Sequence, residues 1–244
     1  MPSEEVRQSL LDLRRINRLF GGRRILLGAV TREVRHHALN RFSILDIASG
    51  SCDLPLAVLE GAQWRGLSAT AFALEYWHRH LAMFRSEFKC YPNLHPICAD
   101  AFCAPFADQS FDFVTCSLFF HHLTEERAVE LLSNMCRWAR YAVIVSDLER
   151  QKLPYYFFKL FSRLFTTSSL SRIDGVTSFR QSFRKEELER TAEKAGLASC
   201  TVERRWPFRL LLTARVAFPG IAEMGYTRSP RLSLCEKGGK EVLR

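Results

Sequence analysis

With 47% hydrophobic and 25% charged residues, a chain of 244 residues can build one α/β domain with a substantial core, but not two of that kind. The same averages exclude disordered and fibrous architectures. The formal charge of +9 sits at the ends: residues 1–42 carry nine arginines against four acids and residues 204–244 nine basic residues against three, while the middle is near neutral. Such ends suit an anionic membrane surface, an acidic substrate or nucleic acid through one Coulomb attraction, and equally a plain solvated surface.

The apolar residues Leu10, Leu13, Ile16, Leu19 and Phe20 recur at helical spacing, and Gly21-Gly22 supplies a stop before a second short apolar segment, 25–30. This predicts a helical cap over residues 1–42, outside the main sheet. From residue 43 onward strand-like and helical segments alternate. The expected strands are 43–48, 67–74, 94–98, 111–118 and 142–146; the expected helices are 53–62, 77–88 and 125–138. Alternation of this kind implies parallel pairing through right-handed crossovers, with helices on both faces of the sheet.

A Phe/Tyr/Leu-rich stretch follows at 153–165, then a polar loop at 166–178 and a helix at 184–195 closed by Gly196. Runs 197–204 and 208–216 are separated only by Arg205-Trp206-Pro207, a link that permits only an antiparallel hairpin. The predicted fold is therefore a Rossmann-like, mostly parallel sheet of seven strands with an antiparallel last strand. The main domain is expected over residues 43–218, with a lid insertion at about 151–180 and a loose basic tail at 219–244.

The eight cysteines form no CxxC pair and no Cys/His spacing of a zinc site, so reduced, mostly buried thiols and no metal are expected. The start, Met-Pro-Ser-Glu-Glu, lacks the basic and apolar regions of a signal peptide. No apolar run reaches the roughly 18 residues of a membrane span. The expected location is cytoplasmic.

In an open α/β sheet, ligands sit beyond the carboxyl ends of the strands where the strand order reverses. That directs attention to Leu45-Asp46-Ile47-Ala48-Ser49-Gly50-Ser51-Cys52-Asp53, where a strand ends in a turn of small residues that exposes N–H groups at a helix start. Glu75, ending the second strand run, can accept hydrogen bonds from vicinal ribose hydroxyls. Asp100, before Ala101, can accept an adenine amino proton, and Ser110-Phe111-Asp112 leads into the fourth strand. Each acid also has a plain structural role open to it: Glu75 as a helix N-terminal charge, Asp100 as an N-cap, Asp112 as a turn residue.

These segments, with Pro105-Phe106, resemble the class I S-adenosylmethionine-dependent methyltransferases, in the branch that includes ubiquinone, menaquinone and natural-product methyltransferases. The resemblance runs from about Leu10 to Val216. Leu13-Arg14-Arg15-Ile16-Asn17-Arg18, Ser146-Asp147-Leu148-Glu149-Arg150 and Asp174-Gly175-Val176-Thr177-Ser178-Phe179-Arg180 look like one subgroup acting on small molecules. The resemblance implies S-adenosyl-L-methionine as cofactor, held by Asp46, Ala48, Ser49, Gly50, Asp53, Glu75, Tyr76, Asp100, Ala101, Ser117 and His122. The family usually has glycine where this chain has Ala48 and Cys52. Ala48 is easily tolerated at negative φ, and Cys52 is expected to narrow the methionine pocket.

Methyl transfer from a sulfonium needs alignment, exclusion of water and, for a hydroxyl or activated carbon, removal of one proton. His121 and His122, at the end of strand four, and Asp147, at the end of strand five, are the candidate bases; structural roles as hydrogen-bond partners or caps are open to each. The aromatic stretch suits an apolar or aromatic acceptor such as a polyketide, phenol, quinone precursor or lipid, with Asn17, Phe120, Tyr155 and Tyr156 around it. The N-terminal helix is expected to roof that pocket. A nucleic-acid methyltransferase is the competing enzyme reading, but no Asn/Asp-Pro-Pro-aromatic motif, Pro-Cys pair or RNA-binding module appears. A non-catalytic binding protein of the same fold is the alternative from another class.

Overall fold

Two glycines break the N-terminal apolar period. In the computed structural model, which describes residues 3–151, 166, 178, 180–197 and 199–216, they divide it into α1 (Ser3–Leu19) and α2 (Gly22–His36). Gly22 is required by close approach, since a Cβ there would lie 2.6 Å from Asn17 Oδ1 and 2.7 Å from Arg209 Nη2. The second helix runs beyond its expected 25–30 because Leu26, Ala29, Val30 and Val34 bury one continuous face. The predicted lid and loop between 151 and 180 and the tail at 219–244, with Tyr155 and Tyr156, lie almost wholly outside the described residues.

The chain continues as β1 (Arg41–Ile47), α3 (Asp53–Gln63), β2 (Ser68–Glu75), α4 (His78–Met83), α5 (Arg85–Phe88) and β3 (Leu94–Cys98). Then come β4 (Phe111–Ser117), a 3-10 turn (Phe120–His122), α6 (Glu125–Trp138), β5 (Ala139–Leu148), α7 (Lys185–Lys194), β6 (Cys200–Arg205) and β7 (Arg209–Arg215). The seven strands lie in the order β3-β2-β1-β4-β5-β7-β6. β1 to β5 pair in parallel, and β7 runs antiparallel between β5 and β6. The expected helix at 77–88 is broken because Phe84 (φ −116°) leaves helical geometry and buries its ring beneath the Arg14 guanidinium, 4.2 Å away.

Alternation along the central strands divides the core into two layers. Ile44, Phe113 and Ile144 face α1, α2 and α3, whereas Leu45, Val114, Val143 and Val145 face α6 and α7. Among the described residues no helix is long and apolar enough to cross a membrane.

At the amino ends of the strands, Asp112 is a clamp within β4. Its Oδ2 accepts from Ser43 N–H (2.7 Å) and Ser43 Oγ (3.0 Å) of β1, and its Oδ1 accepts from Arg140 Nη1 (3.0 Å) of β5. One buried carboxylate thus joins three strands. Asp112→Ala is expected to cost about 2 kcal/mol in urea denaturation, because the half-buried Ser43 N–H and Arg140 guanidinium lose this acceptor. A loss under about 1 kcal/mol would show that the clamp does not support the sheet.

Candidate functional site

The strand order reverses between β1 and β4, so the turn leaving β1 opens at the crevice where this fold takes ligands. Ala48 (φ 55°), Gly50 (φ 53°) and Cys52 (φ 59°) are all left-handed. The condition under which Ala48 would be easily tolerated, a negative φ, is therefore not met. For the two non-glycine residues the left-handed conformation costs about 1–2 kcal/mol each. Bonds on every side hold it: Ser49 N–H donates to Leu74 O (3.0 Å), Cys52 N–H to Ser49 O (2.8 Å) and Gly50 N–H to Glu75 Oε2 (2.9 Å). Beneath the turn, Asp46 accepts from Ser49 Oγ and Thr115 Oγ1, both at 2.7 Å. The Cys52 side chain is fully buried in the core layer that includes Leu10 and Leu54, so it does not narrow a pocket as expected.

Glu75 ends β2 with both oxygens in use. Oε1 accepts from Trp77 N–H and faces His80 Nδ1, each at 3.1 Å, while Oε2 holds Gly50. Burial pushes its carboxyl up, but the bonds from His80, Trp77 and Gly50 outweigh it and leave the group below the ordinary value. Glu75 therefore fills the structural role at a helix start while its charge remains at the crevice. His80 was not anticipated; its place one turn into the helix after Glu75 is the signal that could have found it. Tyr76 and Trp77 are exposed beside this carboxylate with rings edge to face. Past β3, Asp100 Oδ1 accepts from Phe102 N–H (2.9 Å), and Ala101 packs against the α6-side core.

The N-terminal helix lies at this edge of the sheet. Arg14 donates to Ser51 O (2.6 Å) and pairs with Glu87 (2.8 Å). Asn17 Nδ2 donates to Asp53 Oδ2 (3.1 Å), and Asn17 Oδ1 accepts from Arg209 Nη2 (3.0 Å). One amide thereby ties the first turn of α3 to the first residue of β7. Arg209 carried no signal in sequence, because its contact joins segments far apart in the chain, whereas Arg14 lies in the segment 13–18 already singled out. Burial raises Asp53 despite its bonds from Asn17 and Ser51, and lowers Arg209 to about 10 against the attraction of Asp147 and Asp53.

At the ends of β4 and β5, His121 and Asp147 form a buried pair. Asp147 Oδ1 lies 2.7 Å from His121 Nδ1, and its Oδ2 accepts from His121 N–H at 3.0 Å. Leu148 N–H adds a third bond at 2.6 Å. Burial pushes Asp147 up, but the attraction of His121 and these bonds outweigh it, so the carboxylate stays ionised below its usual value. Two of the candidate bases thus act as one unit. His122 is exposed with its ring centroid 4.1 Å from that of His121, and Ser117 Oγ donates to Ser146 O (3.2 Å). Phe120 is fully buried in the α6-side core, so it presents no surface to an acceptor.

Three carboxylates, Asp46, Asp53 and Glu75, lie at the crevice; burial is the main cause that raises Asp46, and the charges of Asp53 and Glu75 add to it. That donor set fits a ligand carrying a sulfonium, an ammonium and a ribose diol. Among the described residues no group of three or more His, Cys, Asp or Glu could hold a metal.

Residues 44–141 match the family model described as a methyltransferase domain. No curated protein sequence matches the chain. Among solved structures, human N-acetylserotonin methyltransferase in complex with SAM is similar at 12% identity and a TM-score of 0.60, over 86% of this chain and 55% of that one. Magnesium protoporphyrin IX methyltransferase from Synechocystis PCC 6803 with bound SAH is similar at 15% identity and 0.54, over 81% and 84%. A SAM-dependent methyltransferase from Aquifex aeolicus is similar at 14% and 0.53, over 72% and 82%. The match to a methyltransferase domain is confined to residues 44–141, and the likeness to these solved methyltransferases is one of fold.

Proposed function

We propose that the protein methylates an apolar or aromatic small molecule at a hydroxyl or activated carbon, in the branch of small-molecule methyltransferases that its motifs resemble. The observation that carries this reading is the buried Asp147–His121 pair at the ends of β5 and β4, next to the crevice floored by Asp46, Glu75 and Asp53. When bound, S-adenosylmethionine supplies an electrophilic methyl group.

Glu75 would accept from a ribose hydroxyl with the lone pair of Oε2 left beside its bonds to Gly50, Trp77 and His80, and Asp100 would accept from the adenine amino group. Tyr76 would cover the ring, while Ala48, Ser49, Gly50 and Asp53 would line the methionine end. Asp147 accepts from Nδ1 of His121, which leaves Nε2 as the imidazole's basic nitrogen; His121 then takes the acceptor's proton and Asp147 compensates the charge that forms. His122 and Ser117 would border this space, and Asn17 would act from behind it by holding Asp53. An acceptor of this class is supported by the aromatic stretch at 153–165 and by the names of the neighbours, which include the citrinin polyketide synthase CMeT domain.

Labelled S-adenosylmethionine offered with phenolic and polyketide acceptors tests the reaction. His121→Ala is expected to lower kcat by about 10²–10⁴-fold with S-adenosylhomocysteine affinity preserved. Asp147→Asn should lower kcat with little change in KM. Full turnover by either variant would remove the pair from the chemistry.

The site's carboxylates also set a pH dependence. Burial raises Asp46 from an ordinary 3.8 to about 7, with Asp53 and Glu75 adding to the shift and the Thr115 and Ser49 bonds opposing it. Between about pH 4 and 7 the unfolded chain loses this proton while the folded chain keeps it, so stability falls as pH rises through that window. The difference in unfolding free energy between wild type and Asp46→Asn should therefore shift against the wild type from pH 4 to 7. A difference that does not vary with pH would contradict a protonated Asp46.

A further inference from the structure

Away from the crevice, the outer face of α2 carries a feature that methyl transfer does not use. Two adjoining cavities of about 670 Å³ each share Arg18, Arg24, Gly28 and Arg32. One extends to Arg23, Arg35 and Arg65, the other to Leu19, Arg205 and Trp206. Seven arginines line the combined surface and no acidic residue does. Arg23 pairs with Glu60, Arg205 with Glu203, and Arg32 with Glu33 and Glu203. Arg18, Arg24 and Arg35 are exposed and have no acidic partner among the described residues.

The pattern belongs to the helix itself. Arg24, Gly28, Thr31, Arg32 and Arg35 follow the three- and four-residue spacing of one face, opposite the buried Leu26, Ala29, Val30 and Val34. Open space lies above Gly28, where an added Cβ would meet nothing within 4 Å. Large apolar side chains stand exposed around the arginines: Leu19 at 62%, Trp206 at 87%, and Trp64, which precedes Arg65, at 89%. Indole rings beside arginines suit the boundary between headgroups and acyl chains, where the rings enter the apolar side and the guanidiniums pair with phosphates.

The patch begins at the ligand edge of the sheet. The α1–α2 junction lies against the β6–β7 turn, with the position of a Gly21 Cβ 3.5 Å from Trp206 O. Arg18 follows Asn17, which joins Asp53 to Arg209, and Trp206 precedes Arg209 by three residues.

We propose that this arginine and tryptophan face of α2 docks the protein on an anionic phospholipid bilayer. A nucleic-acid strand would use the arginines but has no use for an exposed aliphatic Leu19 between them, whereas a bilayer uses both kinds of group. Docking there sets the rim of the candidate site against the phase in which an apolar acceptor dissolves.

The test is sedimentation of the full chain with vesicles of phosphatidylcholine alone and of phosphatidylcholine with phosphatidylserine, over a range of salt. Expected are binding to the anionic vesicles only, release by salt, and a partition coefficient lower by on the order of 10²-fold in the triple variant Arg18→Gln, Arg24→Gln, Arg35→Gln. Trp206→Ser should weaken binding while leaving the salt dependence. Unchanged circular dichroism and S-adenosylhomocysteine affinity show that the variants are folded. No binding by the wild type, equal binding to both vesicle types, or full binding by the triple variant would overturn the proposal. So would failure on vesicles together with salt-sensitive binding to polyuridylate, which would make the face one for nucleic acid.

Discussion

A turn that leaves a central strand and enters a helix within five residues must reverse its backbone sharply, and this chain does so with three left-handed residues of which one is glycine. Ala48 and Cys52 hold a conformation that L-residues disfavour, and they hold it because their surroundings leave no alternative. Ser49 is bonded to Asp46 below and Leu74 beside it, Gly50 is fixed by Glu75, and the Cys52 side chain is locked in the core. The position of Glu75 follows from the same bonds, since the carboxylate that holds Gly50 also anchors the start of the next helical segment through Trp77.

Charge is separated in the molecule with some economy. Acids gather beneath the crevice, where burial shifts Asp46 and Asp53 toward neutrality and their mutual repulsion adds to that of Glu75. Arginines lie around it. Arg14 and Arg209 fasten α1 and β7 to the crevice wall, and the remaining arginines of α1 and α2 face outward. Among the described residues, exposed arginines thus overlie an acidic interior. A cationic donor is suited to the inside of such a molecule and an anionic surface to the outside.

The strand and helix order was legible because period and turn residues are local properties, and seven strands with an antiparallel hairpin followed from them. The turn at 48–52 and the acids at 46, 75 and 147 were legible for a related reason: they stand at strand ends, which the pattern marks. What remained hidden is pairing across long separations. Nothing in Asn17 announces that its amide bridges Asp53 and Arg209, nothing in His121 and Asp147 states that they are one unit, and Asp112 read as a turn residue until its three-strand clamp was seen. The φ of Ala48 and the inward direction of Cys52 also depend on tertiary packing, which overrides the preference of the isolated residue.

The central claim is that the strained turn and the carboxylate that pins it form the cofactor site. Calorimetric titration of S-adenosylhomocysteine into the wild type and into Glu75→Ala tests it most directly. The account predicts binding by the wild type and a loss of about 1.5–3 kcal/mol in the variant, the range for a hydrogen bond to a charged group. Equal affinities in the two proteins, or no heat of binding in the wild type, would contradict it.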